Sequence, residues 1–205
     1  MVTKQVEPPG TSNRRDKAVK KQQLIQAAIE VFSAHGYDRA TTRELAERAG
    51  CAEGLIYKHF GGKRELLMAA LESKRGSLGP EPVLEPDATL QSELARILRR
   101  RVEHIWQTRD FMRVAMSLAA VDGELAQIME SIERSDVKII ADRLRELQAR
   151  GLIALGTDVE AAACNIDMLM LGLGFFWRVV FSRSQSMVDQ QIGDMAGHLA
   201  RALQP

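Results

Sequence analysis

Apolar residues recur at helical spacing along almost the whole chain, and nowhere do they alternate in the way a half-buried strand requires. Leu24, Ala28 and Phe32 form one stripe, flanked by Ile25 and Ile29, and Gly36 closes that helix. Leu66, Leu67, Ala70 and Leu71 belong to another. Leu90, Leu94, Ile97, Leu98, Ile105 and Trp106 define a longer helix, and the segment from Phe111 to Ala120 is short and strongly apolar. Leu125, Ile128, Ile132, Ile139, Leu144 and Leu147 predict a long helix that Gly151 ends; Ser135 and Asp136 interrupt its stripe and leave room for a kink. Residues 158 to 181 and 187 to 203 complete the set. The expected fold class is all-α.

The six prolines, Pro8, Pro9, Pro80, Pro82, Pro86 and Pro205, all lie outside these stretches, as a residue that breaks helices should. They punctuate the chain into an arm at 1–16, a helical head at 17–62, a connecting helix at 63–79 and a larger helical unit at 80–205. With 45% hydrophobic residues in 205, a sizeable core can form. The net charge of +1 hides an asymmetry: residues 1–75 carry 14 Lys and Arg against 9 Asp and Glu, while the remainder carries 14 against 18. A basic head on an acidic body suits a negatively charged partner, although a few charges also suit a solvated surface. Cys51 and Cys164 stand apart in no ligand-spaced cluster, so neither a disulfide framework nor a metal site is expected. The first ten residues lack the apolar stretch of a secretion signal, and the uncharged run from Met168 to Trp177 falls short of the roughly 20 residues that span a bilayer. The expected setting is the cytoplasm, away from a membrane.

Residues 40–67 read ATTRELAERAGCAEGLIYKHFGGKRELL. Thr41 and Glu44 have the spacing of a capping box, with the hydroxyl on a backbone N–H and the carboxylate reaching back. Leu45, Ala46 and Ala49 face inward on the brief helix this opens, and Gly50 stops it. A second short helix begins at Gly54, where Ile56 and Phe60 can face the core and leave Leu55, Tyr57, Lys58 and His59 on other faces. Two short helices joined by a tight glycine turn, with alanine at the crossing, form a helix-turn-helix whose second helix can enter a major groove.

These residues resemble the TetR family of bacterial regulators. Thr41, Leu45-Ala46, Ala49-Gly50, Gly54, Tyr57, Phe60, Lys63 and Leu66 match the family's motif at its intervals. The resemblance implies an N-terminal three-helix DNA-binding domain followed by a larger helical domain that binds an effector and dimerises. Thr41 and Thr42 would then meet phosphate at a helix N-terminus, and Arg43 a phosphate or a base edge. Gly54 and Leu55 would approach the bases, with Leu55 offering an apolar contact where relatives place a hydroxyl. Tyr57, Lys58 and His59 would hold the DNA backbone, as would Lys63 from the next helix. Arg14, Arg15, Lys17, Lys20 and Lys21 fit either a groove-seeking arm or a solvated face. Two departures stand out: Ala52 removes the usual Ser or Thr before the recognition helix, and Glu53 replaces a residue that is often basic.

In the larger unit, the segment MLMLGLGFFWRVV is apolar on nearly every face and needs cover on all sides. A second copy of the chain fits that need. The resemblance places the dimer interface on the last two helices, with Gly172, Phe176, Val180 and Ile192 as candidates, together with Gly193, Ala196, Gly197 and Ala200; ordinary core packing is the plainer reading of each. Trp106, Phe111, Met112, Met116 and Met129 form, with Asp167, Met168, Phe175 and Trp177, a Met- and aromatic-rich set that suits an effector pocket or a core. Asn165, Asp167 and Arg178 need polar partners if buried. Arg99-Arg100-Arg101 reads as an exposed helix face. His35, His59, His104 and His198 are scattered, with no metalloprotease, phosphate-loop or nucleophile-elbow motif, so neither an enzyme nor a cofactor is expected. The expected function is a homodimeric regulator, a repressor that leaves a palindromic double-stranded operator when a small, largely apolar effector binds; an activator of the same fold, or a helical interaction module without DNA binding, are the alternatives.

Overall fold

The computed structural model describes residues 11–75, 77–79 and 81–205, with the side chains of residues 11–15 left out. Helix α1 (Thr11–His35) starts inside the expected arm, of which residues 1–10 lie outside the described residues. It ends where Gly36 takes φ +77° and its N–H donates to the Phe32 carbonyl at 2.9 Å. Helix α2 (Thr42–Arg48) is capped by Thr41, whose hydroxyl accepts the Glu44 N–H at 3.2 Å. The box is only half built. The Glu44 carboxylate turns instead to His35 Nδ1, 2.6 Å away, which ties α2 to the end of α1. Gly50, at φ +63°, makes the turn that a Cβ would disfavour.

Helix α3 (Gly54–His59) and helix α4 (Lys63–Glu72) complete the head. Leu24, Ala28, Phe32, Leu45, Ile56 and Leu66 are fully buried in its core. That core does not stop at the connector: Leu67, Ala70 and Leu71 of α4 belong to it, as do Phe111, Ala115, Leu125 and Ile128 from the larger unit. Head and body are therefore packed together, through α4 and directly where α6 meets α1.

The body comprises α5 (Leu90–Gln107), α6 (Arg109–Ala119), α7 (Gly123–Ala149), α8 (Val159–Leu171), a π-helical segment (Gly172–Val180) and α9 (Gln185–Leu203). Helix α7 is continuous through Ser135 and Asp136, and Asp136 is buried. The wide π-helical turns, ending with the Phe181 N–H on the Phe176 carbonyl at 2.8 Å, replace the α-helix expected there. They pack closely on α5. At Gly174 a Cβ would lie 2.8 Å from Ile105 Cδ1, so the segment passes α5 closer than any side chain permits. By length and composition Val159–Val180 could cross a membrane, yet its inner face is core and it carries Asp167 and Arg178.

Helix α9 corrects the expected dimer face. Ile192, Ala196, Gly197 and Ala200 are buried within the chain, and a Cβ on Gly197 would meet Gln91 of α5 at 3.5 Å. These residues are core because α9 lays its apolar stripe on α5. Gly193 faces outward, half-buried Gly172 lies on the outer side of the π-helical segment, and Met168 of α8 with Phe176 and Val180 of that segment are 52%, 45% and 50% exposed.

Candidate nucleic-acid interface and effector cavity

Helix α3 stands out from the head because Ile56 anchors it at 0% exposure while Tyr57, on the next position round, is 55% exposed. Gly54, Tyr57 and Lys58 are exposed; Leu55 and His59 are half-buried, with Leu55 leaning on the head core. Burial, then the charges of Lys17, Lys58 and Lys21, push the His59 pKa below the ordinary imidazole range. The two α1 lysines thus share a positive field with α3, and Lys21 Nζ lies 5.6 Å over the Phe60 ring. Thr41 and Arg43 are exposed at the start of α2, where Arg43 Nε donates to Glu47 at 3.0 Å. Thr42 donates its hydroxyl to Glu53 at 2.5 Å, so that carboxylate joins the N-termini of α2 and α3.

Lys63 departs from its expected role. Its Nζ donates to the carbonyls of Tyr37 and Ala40, both at 2.9 Å, and lies 4.3 Å over the Tyr37 ring. Two of three ammonium donors are spent on holding α4 to the loop after α1. Lys63 staples the head together.

A cavity of about 120 Å³ lies between α4, α5, α6, α7 and α8. Phe111, Met112, Met116, Met129 and Met168 line one end, with Ile105 and Leu171. Lys74, Arg101, His104, Glu133, Asp136 and Asp167 form the other. Arg101 donates through Nη1 to Asp136, and its Nη2 lies 3.0 Å from Asp167 Oδ1 but off the hydrogen-bonding direction, so Oδ1 and Arg101 Nε lack hydrogen-bond partners. Burial raises the Asp167 pKa against the pull of Arg101. His104 Nε2 sits 3.2 Å from the Ser77 hydroxyl, and burial followed by the Arg101 charge lowers its pKa. Among the described residues no cluster of His, Cys, Asp and Glu could hold a metal ion.

Comparison with known proteins accounts for the head. Residues 24–70 match the family model for bacterial regulatory proteins of the tetR family. The HTH-type transcriptional regulator TtgW of Pseudomonas putida is 33% identical over 96 residues, which cover 46% of this chain and 70% of that protein. The chain belongs to the TetR family. It is a DNA-binding transcriptional regulator, built as an all-helical protein. The fatty acid metabolism regulator protein of Bacillus subtilis is 28% identical to this TetR-family chain over 151 residues, 72% of this chain and 78% of that protein. In fold, it is similar to a TetR-family regulator from Mesorhizobium loti, with a TM-score of 0.72, 23% identity and coverage of 92% and 98% of the two chains. The structure of FadR from Bacillus subtilis in complex with stearoyl-CoA aligns with a TM-score of 0.66 and 22% identity, over 85% of this chain and 96% of that one.

Within this TetR-family regulator, three of the residues expected in the pocket do not line the cavity. Trp106 is held between Arg109 and Arg178, whose guanidinium carbons lie 4.5 and 4.3 Å from its ring centroid. Phe175 is buried with Ile105 and Val179, and Trp177 packs on the body core. Asn165 is exposed, while Arg178 donates to Glu103 at 3.1 Å. The Arg99-Arg100-Arg101 run reads as an exposed face and hides the polar end; in the fold Arg101 and Arg100 point inward, Arg100 to Glu81 and the Leu78 carbonyl. A signal was present. Arg101 continues the apolar stripe of Ile97 and Ile105, and Asp136 sits four residues from both Ile132 and Ile140.

Proposed function

We propose that this regulator is a homodimeric, ligand-responsive repressor that leaves a palindromic operator when a small molecule occupies the cavity. The observation that carries this reading is the position of α4. Its first residue, Lys63, is stapled to the head, its last turn brings Leu71 to the cavity wall, and Lys74 just beyond lines the cavity too. The next residue, Arg64, donates to Asp122 at 2.8 Å and to Glu124 at 2.9 Å at the start of α7. A ligand that spreads α6 and α7 therefore pulls on both ends of a helix roughly 15 Å long. It shifts the head only if it binds the shifted arrangement more tightly.

In this reading Thr41, Arg43, Gly54, Leu55, Tyr57, Lys58 and His59 face DNA from α2 and α3, and Lys17 and Lys21 extend the contact along α1. The stripe of Met168, Phe176 and Val180 meets its copy across a two-fold axis, setting two heads at one-turn spacing of about 34 Å. The cavity is small for the long acyl group in the Bacillus subtilis FadR structure, and its volume suits a smaller effector.

Titration onto labelled DNA flanking its own gene, read by fluorescence anisotropy, tests the reading. Tyr57→Ala and Lys58→Ala should each weaken binding about tenfold with unchanged helical content, since a contact of roughly 1–2 kcal/mol is lost. Unchanged affinity in both variants would refute the assignment of α3 to the groove.

A further inference from the structure

The polar end of the cavity is unbalanced. Glu133, Asp136 and Asp167 supply three carboxylates against two cationic side chains, Lys74 and Arg101. The remaining titratable group, His104, is held neutral near neutral pH by burial and by Arg101. Arg101 is already engaged by Asp136 and Asp167, so a single guanidinium serves two acids. Lys74 Nζ lies 5.9 Å over the Phe111 ring. Asp167 is 3% exposed, and its Oδ1 meets only Arg101 Nη2, in a 3.0 Å ion pair without hydrogen-bond alignment. A buried carboxylate oxygen without an aligned donor is costly, and the Met168, Ile105 and Met129 side chains that also line the cavity have none to offer.

We propose that the cavity takes a small apolar molecule headed by a protonated amine, whose N–H donates to Asp167 Oδ1. This rests on the effector reading above and adds the charge of the ligand to it. An ammonium supplies both the missing donor and the missing positive charge. A carboxylate head would instead face three acids, and could reach Arg101 only by displacing Asp136 or Asp167. Because Arg101 Nε is also unpartnered, a hydroxyl could donate to Asp167 and accept from Arg101, which makes a neutral alcohol the sharpest competitor. The cavity, about 120 Å³, approaches the roughly 150 Å³ of one that holds benzene, so its size sets a single small ring as the upper limit.

Benzylamine, benzyl alcohol and benzoate share one ring and differ in the head, so calorimetric titration of each into the full-length protein reads the preference directly. Benzylamine should bind about tenfold more tightly than benzoate, with benzyl alcohol between them. Asp167→Asn should weaken benzylamine about tenfold and leave benzyl alcohol nearly unchanged; Glu133→Gln should weaken it less, and keeps the test alive if Asp167→Asn does not fold. Met129→Trp should abolish amine binding by filling the site. Benzyl alcohol or benzoate binding as tightly as benzylamine, no benzylamine binding at millimolar concentration, or full binding in the acidic-to-amide variants overturns the inference. The two readings fail separately. Benzylamine bound in the cavity with DNA retained removes the effector reading alone, whereas benzoate bound with DNA released removes only the preference for an amine.

Discussion

Glu53 is the least expected side chain on the proposed DNA-facing side of the head, and its 2.5 Å contact explains how it is tolerated. The carboxylate occupies the Thr42 hydroxyl and lies at two helix N-termini, where negative charge is favourable. It also repels phosphate. Glu53→Gln should therefore tighten DNA binding severalfold at low ionic strength, with the gain fading as salt is added; an unchanged or weaker complex in an anisotropy titration would show that Glu53 points away from DNA. His59 sets a second expectation. In the free protein, burial and then Lys17, Lys58 and Lys21 depress its pKa. Phosphate beside it would favour the imidazolium and raise the pKa, so the complex binds more protons than the free protein does. Affinity should rise as pH falls through the imidazole range and be lost as pH climbs above it, and His59→Gln should flatten that profile.

At the scale of elements, the π-helical segment makes the most definite claim about packing. Ile105 fills the space where a Cβ on Gly174 would sit, with Cδ1 at 2.8 Å and Cβ at 3.1 Å. Gly174→Ala should cost about 1–3 kcal/mol in urea unfolding, and Ile105→Val should recover part of the loss in the double variant. This segment could not be read in the sequence, because an apolar run looks alike with α or π turns and Ile105, which it packs against, is about 70 residues away. Local signals were legible. The stops at Gly36, Gly50 and Gly151, the Thr41 cap and the inward set of Leu45, Ala46 and Ile56 all follow from neighbouring residues. Of the pocket set, Phe111, Met112, Met116, Met129, Asp167 and Met168 line the cavity, while the Arg101–Asp136 pair, 35 residues apart, closes only through the tertiary fold.

For the whole molecule, the uncovered stripe on α8 and the π-helical segment is the feature that a monomer explains least well. Leu169, Phe176, Val180 and Phe181 are 42%, 45%, 50% and 58% exposed, and scattered single residues would not align this way. Phe176→Glu should turn a dimer into a monomer in sedimentation and lower operator affinity roughly 100-fold or more, because each head would then bind alone. A dimer that survives this change would place the interface elsewhere. Arg64, which joins α4 to the start of α7, belongs to the same scale. Arg64→Ala should leave DNA affinity nearly intact and blunt effector release severalfold, measured as the ratio of operator affinities with and without ligand.

Helix α4 carries a consequence for redesign. Since Leu71 and Lys74 border the cavity while Leu66 and Leu67 share the head core with Ile56 of α3, a change made to alter ligand choice from that side should also disturb the proposed grip on DNA. Libraries that seek biosensors for new compounds should vary Met112 and Met116, which line the cavity and pack with Ile105 rather than with the head core, and keep every position of α4 constant.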